Sequence, residues 1–156
     1  MDDIQFVEIF RKTEIRNMIN NFLSEEAVWE SISEFVDSNG KSMACQGKSS
    51  IKFKGEIILN ESYSSFGEKT LTNDYEIRIV SENRYSYTSM NPVIGVQTGF
   101  FDINQNTIYS KFSIKESELN GYEIIRRIED TCYANGALYN GNELINTWSA
   151  TLHKVV

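Results

Sequence analysis

From about residue 28 to the end of the chain, apolar side chains recur at every second position, in short segments separated by turns of a few residues. A period of two places alternate side chains on opposite faces of an extended strand, so this pattern reads as a series of half-buried β-strands. Tyr75, Ile77 and Ile79 alternate with Asp74, Glu76 and Arg78. Ile51, Phe53, Gly55, Ile57 and Leu59 alternate with Lys52, Lys54, Glu56 and Ile58. Segments near 28–36, 84–90, 93–101, 107–114, 122–128, 131–139 and 143–154 share the habit, which predicts roughly nine strands.

The connections set the topology. Asn39-Gly40, Asn120-Gly121, Asn135-Gly136 and Asn140-Gly141 supply the positive-φ residues of tight hairpins, and residues 65–69 and 102–106 read as longer turns. Such gaps leave no room for crossover helices, so neighbouring strands are predicted to be antiparallel and to form a meander. The last two Asn-Gly pairs are too close for both to bound full strands, so one is expected to be a bulge or corner. With one proline, Pro92, to protect edges, closure into a barrel of eight to ten strands is the expected arrangement. A sandwich, or an open sheet completed by a dimer partner, is the alternative.

The N-terminus follows another rule. Starting from Asp2 or Asp3 as a cap, Ile4, Val7, Phe10, Ile15, Met18, Ile19, Phe22 and Leu23 recur near the helical period, with Glu8, Arg11, Lys12, Glu14 and Arg16 on other faces. The expectation is one domain of 156 residues, with a core-packing α-helix over 1–24 and a mainly β barrel over 25–156.

The leading helix, Trp29 early in the first strand, the Asn-Gly hairpins and a last strand bearing Trp148 together resemble the calycin group, the lipocalin and fatty-acid-binding-protein type of barrel. That resemblance is architectural. It implies a cup-shaped interior that receives a small apolar or amphipathic ligand.

Charge and motifs narrow the function classes. With 15 Lys+Arg against 22 Asp+Glu, the formal charge of −7 repels nucleic acid and anionic membranes. Lys48, Lys52 and Lys54 form the one basic cluster and read as a solvated strand face. The acidic start, Met1-Asp2-Asp3, lacks the basic region of a secretory signal, and no apolar run is long enough to span a bilayer, so a cytoplasmic protein is expected. In that compartment the sequon at Asn60 stays unused, and Cys45 and Cys132 are expected to be reduced thiols. His153, the only histidine, shares parity with Thr147, Ser149 and Thr151 and is expected to face solvent. No phosphate-loop, dinucleotide, zinc-protease or nucleophile-elbow motif occurs. No metal or cofactor is expected.

The most suggestive stretch is 122–130. Tyr122, Ile124, Arg126 and Ile128 share one face; Glu123, Ile125, Arg127 and Glu129 share the other. In a closed barrel one of Arg126 and Arg127 must therefore point inward. An arginine in an apolar cup can clamp a carboxylate with two parallel hydrogen bonds, so an anionic head group is one expectation. The alternative is a structural arginine paired with Glu76, Asp130 or another carboxylate. Tyr122, Tyr85, Tyr87, Tyr109 and Trp148 are candidate ligand contacts, although aromatics equally suit a packed core. Three functions remain: a binding protein for a small amphipathic, anionic molecule; an isomerase or lyase using Glu123 or Glu76 as base with a tyrosine acid; or an interaction subunit with a filled core, such as a homodimer.

Overall fold

The computed structural model describes residues 20–155; the expected helix lies outside them except for its final residues, where Phe22 and Leu23 sit in a turn. Ten antiparallel strands follow: β1 (Ala27–Asp37), β2 (Ser42–Lys54), β3 (Ile57–Phe66), β4 (Lys69–Ser81), β5 (Arg84–Asn91), β6 (Gly95–Asn104), β7 (Thr107–Ile114), β8 (Leu119–Ile128), β9 (Thr131–Asn140) and β10 (Glu143–Lys154). Each strand pairs with its sequence neighbours, and β10 returns to pair with β1, so the meander is a closed barrel. Closure leaves no strand with an unpaired edge, the arrangement expected of a proline-poor chain.

The count exceeds the sequence expectation for a visible reason. Residues 51–59 are not one strand but the end of β2 and the start of β3, turning at Gly55 with φ +62°. The rest of those two strands turns Cys45, Gly47, Ser49, Asn60, Ser62 and Ser64 toward the lumen. That polar inner face gives no apolar period to read.

Two Asn-Gly pairs are also not turns. Asn39-Gly40 and Asn140-Gly141 do form hairpins, with φ +79° and +60° at the glycines. Asn120-Gly121 lies within β8 and Asn135-Gly136 within β9. A side chain at Gly121 would run into the Phe112 ring and the Ala137 carbonyl, and one at Gly136 into the Trp148 ring. These glycines are there for close approach rather than for turn geometry.

Inside, Trp29 and the aliphatic Ile51, Ile58, Ile77, Ile108, Ile125 and Leu152 build an apolar floor together with Phe22 and Leu23. Each such side chain contributes about 1.5–3 kcal/mol through burial. Phe22 lies against Trp29 with ring centroids 5.7 Å apart, and the Arg127 guanidinium covers the Trp29 ring at 5.0 Å. This end of the barrel is closed. The turns that follow β1, β3, β5, β7 and β9 gather at the other end.

Several further expectations can be placed. Cys45 and Cys132 are both buried and free, and burial pushes the Cys132 thiol up to about 12. Asn60 is buried on the inner wall, so its sequon is not presented. His153 is exposed, with Nδ1 3.4 Å from Thr131 Oγ1. No helix among the described residues is long and apolar enough to cross a membrane.

Candidate functional site

The barrel encloses a cavity of about 640 Å³ above the aliphatic floor. Its lower wall is Ile77, Ile108, Ile125, Leu152 and Phe101; its mouth carries Asp37, Lys41, Met43 and Asn146. Between floor and mouth runs a polar belt.

Belt and strand period are linked, because inward positions at one level along successive strands meet side by side. On β4 and β5, Asn73 Nδ2 donates to the Tyr75 hydroxyl at 3.1 Å and Ser89 donates to Asn73 Oδ1. On β5 to β7, Gln97 Nε2 donates to the Tyr87 hydroxyl at 3.2 Å, and the Tyr87 and Ser110 hydroxyls share a hydrogen bond at 3.0 Å. Glu123, the register partner of Ser110, extends the belt onto β8 and accepts a hydrogen bond from Trp148 Nε1 at 2.7 Å. Two aromatic groups line the wall: Tyr75 and Tyr87 lie 5.6 Å apart with Tyr87 stacked on Phe101 at 4.3 Å, and Phe35 meets Trp148 at 5.8 Å.

Glu123 dominates the electrostatics. Burial raises its carboxyl above the ordinary carboxylate range, and the Trp148 hydrogen bond only partly opposes this. Burial likewise raises the Tyr75 and Tyr87 phenols, with the nearby Glu123 adding to both, so they stay neutral donors. The folded chain thus holds the Glu123 proton to higher pH than the unfolded chain does. The associated stability is full below the ordinary carboxylate value and is lost as pH rises through the raised one. Glu123→Gln keeps an acceptor for Trp148 but removes the charge. It is expected to melt a few degrees above the wild type at about pH 8, and the gain to vanish by about pH 4. A thermal-shift series in which the difference does not change with pH contradicts a buried carboxylate.

The sequence candidates divide sharply. Tyr87 and Trp148 line the cavity. Tyr85 is half-buried and packs against the core cluster, outside the cavity lining. Tyr109 and Tyr122 stack on each other at 6.4 Å on the outer wall, where Arg126 is also exposed. Arg127 does turn inward, but at the closed end, and every arm of it is occupied. Nε donates to the Glu129 carbonyl at 2.7 Å, Nη1 to the Asn21 carbonyl at 3.2 Å, and Nη2 to Glu25 Oε1 at 2.6 Å, with Asp130 at 3.6 Å. Hydrogen bonds from Arg127 and Lys154 outweigh burial and hold the Glu25 carboxyl below its usual range. Arg127 therefore closes the barrel and does not reach the cavity, so the expected clamp on an anionic head is absent from the lining. Glu76 is paired with Arg78 at 2.6 Å on the exposed wall, which leaves Glu123 as the interior carboxylate of the alternative reading. Among the described residues, no group of three metal-ligating side chains occurs.

No model of a known protein family and no curated protein matches the sequence. Solved structures do match the fold. Rv2717c from M. tuberculosis superposes with a TM-score of 0.66 at 11% identity, over 84% of this chain and 92% of that one. The S-type phycobiliprotein lyase CPES from Guillardia theta gives 0.63 at 7% identity, over 94% and 93%. A protein of unknown function from the DUF3598 family of Nostoc punctiforme gives 0.58 at 14% identity, over 90% of this chain and 49% of that one. What the chain shares with these proteins is the all-β barrel fold.

Proposed function

We propose that the barrel binds one small amphipathic molecule in its lumen, with the apolar part on the aliphatic floor and the polar part at the belt of Glu123, Tyr75, Tyr87 and Gln97. The observation that carries this reading is the cavity of about 640 Å³, in the size range of ligand sites and mostly apolar with a few convergent polar groups. A core filled for stability alone would be packed to the density of an organic crystal. Tyr87 and Trp148 are the sequence-derived candidates that contact the ligand here. The neutral dye Nile red tests the reading: its fluorescence is expected to rise and saturate at about one dye per chain, with a micromolar Kd. A linear, non-saturating rise speaks against an interior site.

The raised Glu123 carboxyl favours one further reading, an isomerase or lyase in which Glu123 serves as general base and Tyr75 or Tyr87 as acid. A lyase among the barrels of like fold is compatible with it. Mass spectrometry of the molecule extracted after incubation separates the two, since a carrier returns its ligand unchanged.

A further inference from the structure

Lumen chemistry is lopsided. Glu123 enters no ion pair among the described residues, and only one of its oxygens, Oε2, is engaged, by Trp148. Among the described residues, Lys41 is the one lysine or arginine in the lining, and it is an exposed residue at the mouth. Arg127, the inward cation, is spent on the plug at the closed end.

Among the described residues, a carboxylate in no ion pair, with no lysine or arginine deeper than the mouth, is mismatched to an anionic ligand, whose charge would meet repulsion there. It is matched to a ligand that brings its own positive nitrogen. The walls beside Glu123 strengthen the match, because Trp148, Phe35, Tyr75 and Tyr87 present the aromatic rings that attract organic cations.

Building on the carrier reading, we propose that the ligand is an amphipathic organic cation: an apolar body carrying a protonated amine that pairs with Glu123 inside the aromatic wall. Glu123 supplies the countercharge. Trp148 donates to Oε2, which leaves Oε1 for the incoming nitrogen.

A matched head-group series tests this. Decylammonium, decanol and decanoate share one tail and differ in charge, and each can be titrated against bound Nile red. The wild type is expected to take decylammonium at least about tenfold more tightly than decanol, and decanoate more weakly than decanol. Glu123→Gln is expected to bring decylammonium down to the level at which the same variant binds decanol, so that the ammonium preference is lost while saturable dye binding remains, a readout that loss of fold would not give. Its melting transition serves as the check on folding. Decanoate binding as tightly as decylammonium, or an ammonium preference that survives in Glu123→Gln, overturns the cation assignment while the interior site stands. If no member of the series displaces the dye, and the dye itself does not saturate, the carrier reading falls together with this one.

Discussion

Arg127→Ala is expected to lower the stability of the fold by about 3 kcal/mol, the lower end of the cost of breaking a buried ion pair from one side. The guanidinium is 3% exposed, and it satisfies two backbone carbonyls, Asn21 and Glu129, besides Glu25. Truncation removes one hydrogen bond from each of the three and uncovers the Trp29 ring. The estimate stays at the lower end because Glu25 is 37% exposed and keeps Lys154 at 3.0 Å. For a chain of this length the change corresponds to a fall in Tm of about 10 °C. Arg126→Ala, on the exposed wall one residue away, is expected to stay within about 0.5 kcal/mol of the wild type. Urea unfolding of both variants measures the contrast, and equal stabilities would sink the view that Arg127 locks the closed end.

Gly136→Ala is expected to cost roughly 3 kcal/mol, at the top of the usual range for overpacking. A Cβ at this position meets the Trp148 ring and lies 2.6 Å from the Tyr122 carbonyl oxygen. Trp148 cannot step aside freely, since its indole nitrogen is tied to Glu123 and its ring lies against Phe35. The backbone carbonyl has even less room to give. The substitution therefore strains β8 against β9 or drives Trp148 off Glu123. Chemical denaturation reads the first effect and tryptophan emission the second. Wild-type stability and an unchanged spectrum in Gly136→Ala would show that the indole does not occupy the space above Gly136.

Much of this fold is legible without coordinates. Period two from β4 onward and the hairpin glycines at 40 and 141 suffice for an antiparallel meander, and the poverty of proline argues for closure. What misled was chemistry with two meanings. Asn-Gly marks a turn when the glycine needs positive φ, but at 121 and 136 the glycine is needed because Phe112 and Trp148 lie over it. β2 and β3 hid because a wall that faces a polar lumen has no apolar alternation.

The site was half legible. Parity put Glu123, Ile125 and Arg127 on one face, and that face is indeed the inner one. Height along the barrel is what parity does not carry. Four residues along a strand separate Glu123, in the polar belt, from Arg127, in the plug beside Glu25. The partner that decides the fate of Arg127 lies about a hundred positions away in sequence, where no local pattern reveals it. Tyr122 shares the parity of Arg126, and the structure puts that face on the outer wall, with Tyr109 stacked against it.

The interior as a binding site is tested most directly by titrating Nile red into the wild type and into Ala150→Trp. Ala150 lines the cavity on β10, so an indole there fills the space a ligand needs without touching the outer wall. The account predicts saturable binding in the wild type and a loss of at least about tenfold in the filled variant at unchanged Tm. Equal binding by both chains would place the dye on the outer surface and contradict an open lumen.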